Sequence, residues 1–146
     1  MAENKRYIAF TVPGKPVGKQ RPRFSRRGTA VRTYTPRQTT EYERLVKESY
    51  IAAGGEKLEG TIGATICGYF EPPKATSKKQ RQKMLSGEVG YTKKIDADNL
   101  AKSILDALNG VAYTDDAQVS LLLVYKAYAE TVSYTHLRAH ETVLDL

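Results

Sequence analysis

The chain has 146 residues, of which 40% are apolar and 27% charged, so it can bury one hydrophobic core but not two. Its 23 Lys and Arg residues against 16 Asp and Glu residues leave a net charge of +7, which favours a polyanionic partner. No apolar stretch reaches the roughly 18 residues that span a bilayer, and the N-terminus lacks the apolar core of a signal peptide. We therefore expect a soluble, cytoplasmic protein with no membrane contact. The single Cys67 excludes an intrachain disulfide and a cysteine-based zinc cluster.

The N-terminal part of the chain predicts a strand, a basic arm and a helix. Residues 7–12 (YIAFTV) are β-rich and end at a Pro-Gly pair, so they predict the first strand. We call the segment from Gly14 to Arg37 the basic arm, because it holds eight basic residues and no acidic one. Its proline and glycine content predicts a flexible loop with a short strand at 31–34. A helix is predicted over 37–53, with apolar positions recurring every three to four residues at Tyr42, Leu45, Val46 and Tyr50.

The C-terminal part predicts a second strand over 58–70 and a polar, basic segment over 74–94 with a short helix near 77–84. A further helix is predicted to begin at Asp98, as its N-cap, and to end near Asn109. An Asp-Asp turn then leads into a long, largely buried strand over 118–128. The order of elements indicates an α+β fold, a single domain in which a small mixed β-sheet packs with two main helices.

Basic side chains form two clusters that could neutralise DNA phosphates, each contact adding a counterion-release term to the affinity. The alternative is that both clusters are solvated loops. The residues that we predict to bind DNA are Lys15, Lys19, Arg21, Arg23, Arg26 and Arg27 in the basic arm and Lys78 and Lys79 in the second cluster.

The aspartates are confined to one part of the sequence, because none precedes Asp96. In extended backbone, Asp96 and Asp98 at i and i+2 point to the same side, with alpha carbons about 6–7 Å apart. Two carboxylates so placed can bridge a hard cation. Asp98, Lys102 and Asp106 recur at intervals of four, which places them on one face of the predicted helix.

A third carboxylate, from Asp115 or Asp116, joins the pair only if the following strand lies beside the chain that leads into Asp96. Three carboxylates without a histidine suit Mg²⁺ or Mn²⁺, which prefer oxygen ligands. A metal-bound water beside basic residues is suited to phosphodiester hydrolysis. The alternative is that these aspartates serve only as helix caps and turn residues.

Residues 94–119, KIDADNLAKSILDALNGVAYTDDAQV, resemble the signature of the RusA family of Holliday junction resolvases, small endonucleases common in phages and prophages. FTVPGKPVGKQRPRF, at residues 10–24, is similar to the opening of the phage branch, so the resemblance covers residues 7–130. It implies that Asp96, Asp98 and Asp116 are metal-binding catalytic carboxylates and that Lys102 assists them. Asp115 is adjacent to Asp116, so the choice between the two stays open.

The resemblance also implies partners and a role. The family acts as a homodimer with Mg²⁺ or Mn²⁺ and cuts two opposed strands of a four-way DNA junction, in DNA recombination and repair. A bacterial cytoplasmic location follows, with a phage or prophage origin. The alternative is a non-catalytic DNA-binding module of the same fold. Asn99, Asp106, Asp115 and Gln118 match family positions to which the resemblance gives no clear role.

The C-terminus departs from the family pattern. Residues 132–142 (VSYTHLRAHET) resemble one reading frame of a transposon-type sequencing adapter. On that basis the nuclease domain spans residues 1–131, and residues 132–146 are a non-native tail that replaces a final native strand. His136 and His140 both lie in the tail, so histidine-dependent chemistry is excluded from the domain. We expect order only in the first few tail residues, although Val143 and Leu144 could join an open sheet edge.

Overall fold

A computed structural model describes residues 5–142 as a mixed sheet, a separate hairpin and three helices. The elements are β1 (Tyr7–Pro13), β2 (Arg23–Arg27), β3 (Ala30–Tyr34), α1 (Arg37–Ala52), β4 (Ile62–Phe70), α2 (Lys78–Leu85), α3 (Ala97–Ala107), a short 3₁₀ turn (Asp116–Gln118), β5 (Val119–Tyr128) and β6 (Tyr134–Glu141). The strand order in the sheet is β1-β6-β4-β5, with β4 and β5 parallel and β6 antiparallel to both its neighbours. The α+β prediction is confirmed.

Two amphipathic helices cover the sheet and form the core with it. The buried stripe of α1 carries Tyr42, Val46 and Tyr50, at the predicted spacing. The stripe of α3 carries Leu100 and Ile104, which are fully buried. The helices pack against each other, α1 also against β1 and α3 against β5. This packing fixes α3, the helix that carries the aspartates, relative to the sheet. None of the helices between residues 5 and 142 has the length and apolar character that crossing a membrane requires.

The structure corrects three boundaries or burial states. The N-cap of α3 is Asp96, and Asp98 lies in the first helical turn. The helix therefore begins before the predicted N-cap, since Ala97 is a strong helix former and a carboxylate in the first turn is stabilised by the helix dipole. β4 begins at Ile62, later than predicted, after a turn at Gly60 with φ of 71°. β5 is an exposed edge strand rather than a largely buried one.

Three consecutive leucines of β5 are exposed. Leu121, Leu122 and Leu123 keep 54%, 42% and 56% of their accessible surface. The apolar run was correctly predicted as a strand, but nothing in the described part of the chain covers its outer edge. An exposed apolar edge of this kind is typical of a protein–protein contact.

The expectation that order stops within the first few tail residues is wrong. β6 lies at the centre of the sheet, pairs with β1 and β4 along its whole length, and buries Thr135, Leu137 and Ala139 in strict alternation. The Thr135 hydroxyl also shares a 2.7 Å hydrogen bond with the hydroxyl of Tyr42. The physical reason is that β1 and β4 each offer an unpaired edge, and the alternating tail sequence satisfies both at once. Residues 143–146 lie outside the described residues.

The basic arm is also more ordered than predicted. Besides the expected strand β3, it contains β2, and the two pair as an antiparallel hairpin through a tight turn at Gly28 and Thr29. Gly28 has φ of 59°, a left-handed conformation that glycine adopts without a steric cost and that places it first in the turn, as in type II′ hairpins.

Candidate active site and nucleic-acid interface

Asp96 and Asp98 lie at the start of α3 with exposed side chains. The amide nitrogen of Asn99 lies 3.5 Å from a carboxylate oxygen of Asp96 and donates to it. The chain that leads into Asp96 is held against β5, because the ammonium of Lys126 donates to the carbonyls of Lys93, at 2.9 Å, and Ile95, at 2.7 Å. The carboxylate pair is therefore solvent-accessible on a positioned helix end.

Lys102 is exposed one turn beyond Asp98 on α3. Among the described residues it forms no ion pair with Asp98 or with Asp106, the two partners that the helical spacing offered. Asp106 is instead paired with Lys19 at 3.2 Å. The Lys102 ammonium is thus free to meet an anionic ligand beside the carboxylate pair.

Asp116 lies at the other end of α3. Its backbone N–H donates to the side-chain oxygen of Asn109 at 2.9 Å, just beyond the C-terminus of the helix. Asp96 and Asp106 are ten residues apart, and at 1.5 Å per helical residue this corresponds to about 15 Å along the axis. Within residues 5–142, no three Asp, Glu, His or Cys side chains form a cluster that could hold a metal ion. One chain therefore does not bring Asp116 to Asp98.

The turn that carries Asp116 is shaped by Gln118. The side-chain oxygen of Gln118 accepts from the N–H groups of Thr114, at 2.9 Å, and Asp115, at 3.2 Å, and its amide nitrogen donates to the Gly60 carbonyl at 3.0 Å. This gives a structural role to one family position that the sequence left without one.

The pKa of the neighbouring Tyr113 reflects the negative charge at this end of α3. Burial raises the pKa of the Tyr113 hydroxyl, and the carboxylates of Asp116, Asp106 and Asp115 raise it further. The hydroxyl donates to the Leu105 carbonyl at 2.6 Å. Both members of the Asp-Asp pair therefore lie near Asp106, at the opposite end of the helix from Asp96 and Asp98.

The base of the basic arm is docked on the start of α3. The N–H of Lys19 donates to the Asn99 carbonyl at 2.9 Å. Gly18 packs so closely on Ile95 that a Cβ at position 18 would collide with its side chain. The arm therefore leaves the protein body directly beside the segment that carries Asp96 and Asp98.

Lys19 differs from the other residues that we predict to bind DNA. Its ammonium contacts Glu43 at 2.5 Å and Asp106 at 3.2 Å, which joins the arm to α1 and α3. Burial lowers the pKa of Lys19, but the hydrogen bonds to the two carboxylates outweigh burial and leave the pKa above its ordinary value. Lys19 thus serves as an anchor of the arm in this structure.

The remaining basic side chains with predicted DNA contacts are exposed, and they come from four places. Lys15 follows β1, Arg21 precedes the hairpin, and Lys78 and Lys79 form the first turn of α2. The hairpin carries Arg23, Arg26 and Arg27. Sequence reasoning missed Arg32, an exposed residue of β3, as a member of this surface. The signal that could have revealed it is Gly28 between two short, β-tolerant runs.

Comparison with known proteins identifies the family. The sequence profile described as "Endodeoxyribonuclease RusA" matches residues 13–137, a range that contains Asp96, Asp98, Lys102 and Asp116. The chain belongs to the RusA endodeoxyribonuclease family. RusA enzymes are hydrolases that act on branched DNA junctions. The chain is also similar to "Uncharacterized protein YqaN" of Bacillus subtilis (strain 168), with 36% identity over 129 residues, covering 84% of this chain and 89% of that protein.

Proposed function

We propose that this protein is a divalent-metal-dependent endonuclease that resolves four-way DNA junctions as a homodimer. The observation that carries the proposal is the docking of the basic arm on the start of α3. It joins a phosphate-binding surface to the exposed pair Asp96 and Asp98 through the 2.9 Å hydrogen bond between Lys19 and Asn99. A phosphodiester held by the arm would meet carboxylates and the ammonium of Lys102.

The donor set fits Mg²⁺ or Mn²⁺ in chemistry. The candidates are aspartate oxygens, with no thiolate or imidazole from the proposed domain, and hard cations prefer such ligands. Asp96, Asp98 and Asp116 would hold the ion. When bound, the ion would supply an activated water and positive charge beside the scissile phosphate. Lys102 would stabilise the negative charge that develops on the phosphate oxygens, and the arginines of the arm would hold the flanking backbone.

The homodimer would use the exposed edge of β5. Four large apolar side chains of this strand are each more than 40% exposed: Leu121, Leu122, Leu123 and Tyr125, the last of which keeps 44% of its accessible surface. A two-fold axis pairs the same patch on both subunits, and an antiparallel strand pair satisfies the free backbone groups of both edges. A second copy of the chain would therefore cover the leucines and the strand edge together.

This dimer would also bring the separated carboxylates together. Asp116 lies just before the start of β5, whereas Asp96 lies beside its far end, where Lys126 holds the carbonyl of Ile95. Antiparallel pairing sets the start of one β5 beside the end of the other. Asp116 of one subunit would then meet the Asp96–Asp98 pair of the second subunit. Each of the two resulting sites would face one of two opposed junction strands.

The experiment that tests this proposal mixes inactive variants on a labelled four-way junction with Mg²⁺. Asp98→Asn and Asp116→Asn should each abolish cleavage. When the two variants are refolded together, the mixture should regain the ability to nick one strand of each junction. The reason is that a mixed dimer contains one site without either substitution. The matched control mixes Asp98→Asn with Asp96→Asn. Both substitutions lie in the carboxylate pair at the start of α3, so every site in the mixed dimer contains one of them and cleavage should not return.

If neither mixture regains cleavage, the shared site is wrong, because each chain would then hold a complete site of its own. A wild-type protein that binds junctions without cutting them in Mg²⁺ or Mn²⁺ would instead support the non-catalytic DNA-binding module.

We place the activity in DNA recombination and repair, in a bacterial cytoplasm and with a phage or prophage origin, in line with the family membership.

A further inference from the structure

The hairpin of β2 and β3 extends from the body with all ten strand residues exposed. Its most exposed apolar side chain, Phe24, keeps 73% of its accessible surface, and Val31 keeps 56%. Isolated exposed apolar residues are common, but a phenylalanine and a valine on a short ribbon otherwise rich in arginine form a patch with a defined position. The patch has no function in the site described above.

The strand register divides the hairpin into two unlike faces. In an antiparallel pair, directly opposed residues share a face, and successive residues alternate. Arg23 is opposite Tyr34, Ser25 is opposite Arg32, and Arg27 is opposite Ala30. These six residues form the arginine face of the hairpin. Within residues 5–142, a concave pocket of about 520 Å³ is lined by Ser25, Arg27, Ala30 and Arg32, in agreement with this division.

The second face is apolar at its centre. Phe24 is opposite Thr33, and Arg26 is opposite Val31. We call these four residues the Phe24 face. Phe24 and Val31 are therefore neighbours on one surface, on the side of the ribbon away from Arg23, Arg27 and Arg32.

The charge and size of the hairpin match DNA rather than another protein surface. The basic arm contains no acidic residue between Gly14 and Arg37, so no carboxylate competes for its guanidinium groups. A two-stranded ribbon fits the major groove of B-DNA, which is about 12 Å wide. The arginine face would then meet phosphates while the Phe24 face is directed at base pairs.

A duplex and a junction offer Phe24 different ligands. Inserting an apolar side chain into a continuous duplex requires unstacking a base step, at a cost of a few kcal/mol. At the centre of an opened four-way junction, the terminal base pair of each arm already lacks a stacking partner. An aromatic ring placed there gains stacking without that cost.

We infer that the hairpin is a junction-reading element in which Phe24 stacks on an unpartnered base pair at the junction centre while the arginine face holds the backbone. The inference rests on the proposed function, because it assigns the source of selectivity for branched DNA. The reach is sufficient: Phe24 follows Lys19 by five residues, which span up to about 18 Å when extended. Lys19 is fixed beside the Asp96 helix end, so Phe24 can lie within a few nucleotides of the cut phosphate.

The test compares binding of a four-way junction and of a linear duplex, without divalent metal so that nothing is cut. Phe24→Ala should lower junction affinity about tenfold, as expected for the loss of one base–aromatic stack, and leave duplex affinity within about twofold. Phe24→Trp should retain the selectivity. The matched control is Val31→Ala, which removes an exposed apolar side chain from the same face and should change both affinities little.

A spectroscopic readout locates the contact. Wild-type protein should change the fluorescence of 2-aminopurine placed at the junction centre but not within an arm, and Phe24→Ala should abolish that change. If wild-type protein binds both DNAs equally, the proposed junction function fails, and this inference with it. If wild-type protein is selective and Phe24→Ala is equally selective, only the inference about the hairpin fails. A variant that alters dimer dissociation instead of selectivity would assign the Phe24 face to a second copy of the chain and also overturn the inference.

Discussion

Leu137→Ala tests the unexpected position of β6 at the centre of the sheet. Leu137 is 3% exposed and belongs to the main hydrophobic core. Removing the buried carbons of a leucine and leaving a partly collapsed cavity costs about 2–5 kcal/mol. A domain of this size has a total stability of about 5–15 kcal/mol, so the loss is a large fraction of it. At about 2–4 °C per kcal/mol, the melting temperature should fall by about 4–20 °C.

The assay is thermal and urea unfolding followed by circular dichroism, with Arg138→Ala as the matched control. Arg138 is the next residue of the same strand and is exposed, so its truncation should change stability by no more than about 0.5 kcal/mol. If Leu137→Ala melts within a degree of Arg138→Ala, β6 is not part of the core, and the adapter-like tail does not fill the sheet. Removal of residues 132–146 should then be harmless, whereas the observed fold predicts that it leaves β1 without a strand partner.

Further predictions concern charge and origin. Neutralising Arg21 and Arg23 together should make the slope of log affinity against log salt shallower by nearly two units, at about 0.9 per lost phosphate contact, and an unchanged slope would exclude both from the DNA interface. Hydrogen bonds from two backbone N–H groups lower the pKa of Glu141, so Glu141→Gln should be less stable than wild type near neutral pH. The difference in urea midpoints should shrink as pH falls below the ordinary pKa of 4.5, and it should vanish once the pH is below the lowered pKa of the folded state. The pKa of Lys19 is raised, so the loss of stability in Lys19→Met relative to wild type should persist at neutral pH and shrink as pH rises above 10.5. A difference in stability that does not change with pH would contradict the ion-pair assignment. We propose that residues 132–146 derive from an adapter, so sequencing the source locus should give different codons after position 131, and unchanged codons would refute this origin.

The helices were predictable because their signals are local. The recurrence of Tyr42, Val46 and Tyr50 determines which face of α1 is buried whatever the helix packs against. The start of α3 was missed by two residues because Asp96 and Asp98 are equally good cap residues, and only the backbone conformation distinguishes them.

Strand neighbours and burial were harder to predict, because they depend on residues far away in sequence. The leucines of β5 indicate an apolar partner but not whether that partner is the chain's own core or a second subunit. The placement of β6 between β1 and β4 depends on pairings that span most of the chain.

One part of the candidate site could be predicted from local sequence, and the other part depends on distant residues. The chemistry of Asp96, Asp98 and Lys102 follows from residue type and spacing on one helix, and the structure places them within the first two turns of α3, at its exposed start. The position of Asp116 depends on the direction of β5. Because β5 runs parallel to β4, its start lies at the opposite end of α3, which sequence spacing does not encode.

Cleavage of an end-labelled four-way junction by wild-type protein and by Asp98→Asn, with and without Mg²⁺, tests whether the protein is a metal-dependent junction endonuclease. We predict paired nicks in opposed strands by the wild type with Mg²⁺ and none without it. We predict no cleavage by Asp98→Asn, with junction binding retained or tighter, since removing a carboxylate removes repulsion of the phosphates. Cleavage by Asp98→Asn at the wild-type rate would exclude Asp98 as a metal ligand, and wild-type cleavage that survives removal of every divalent metal would exclude a metal-dependent mechanism.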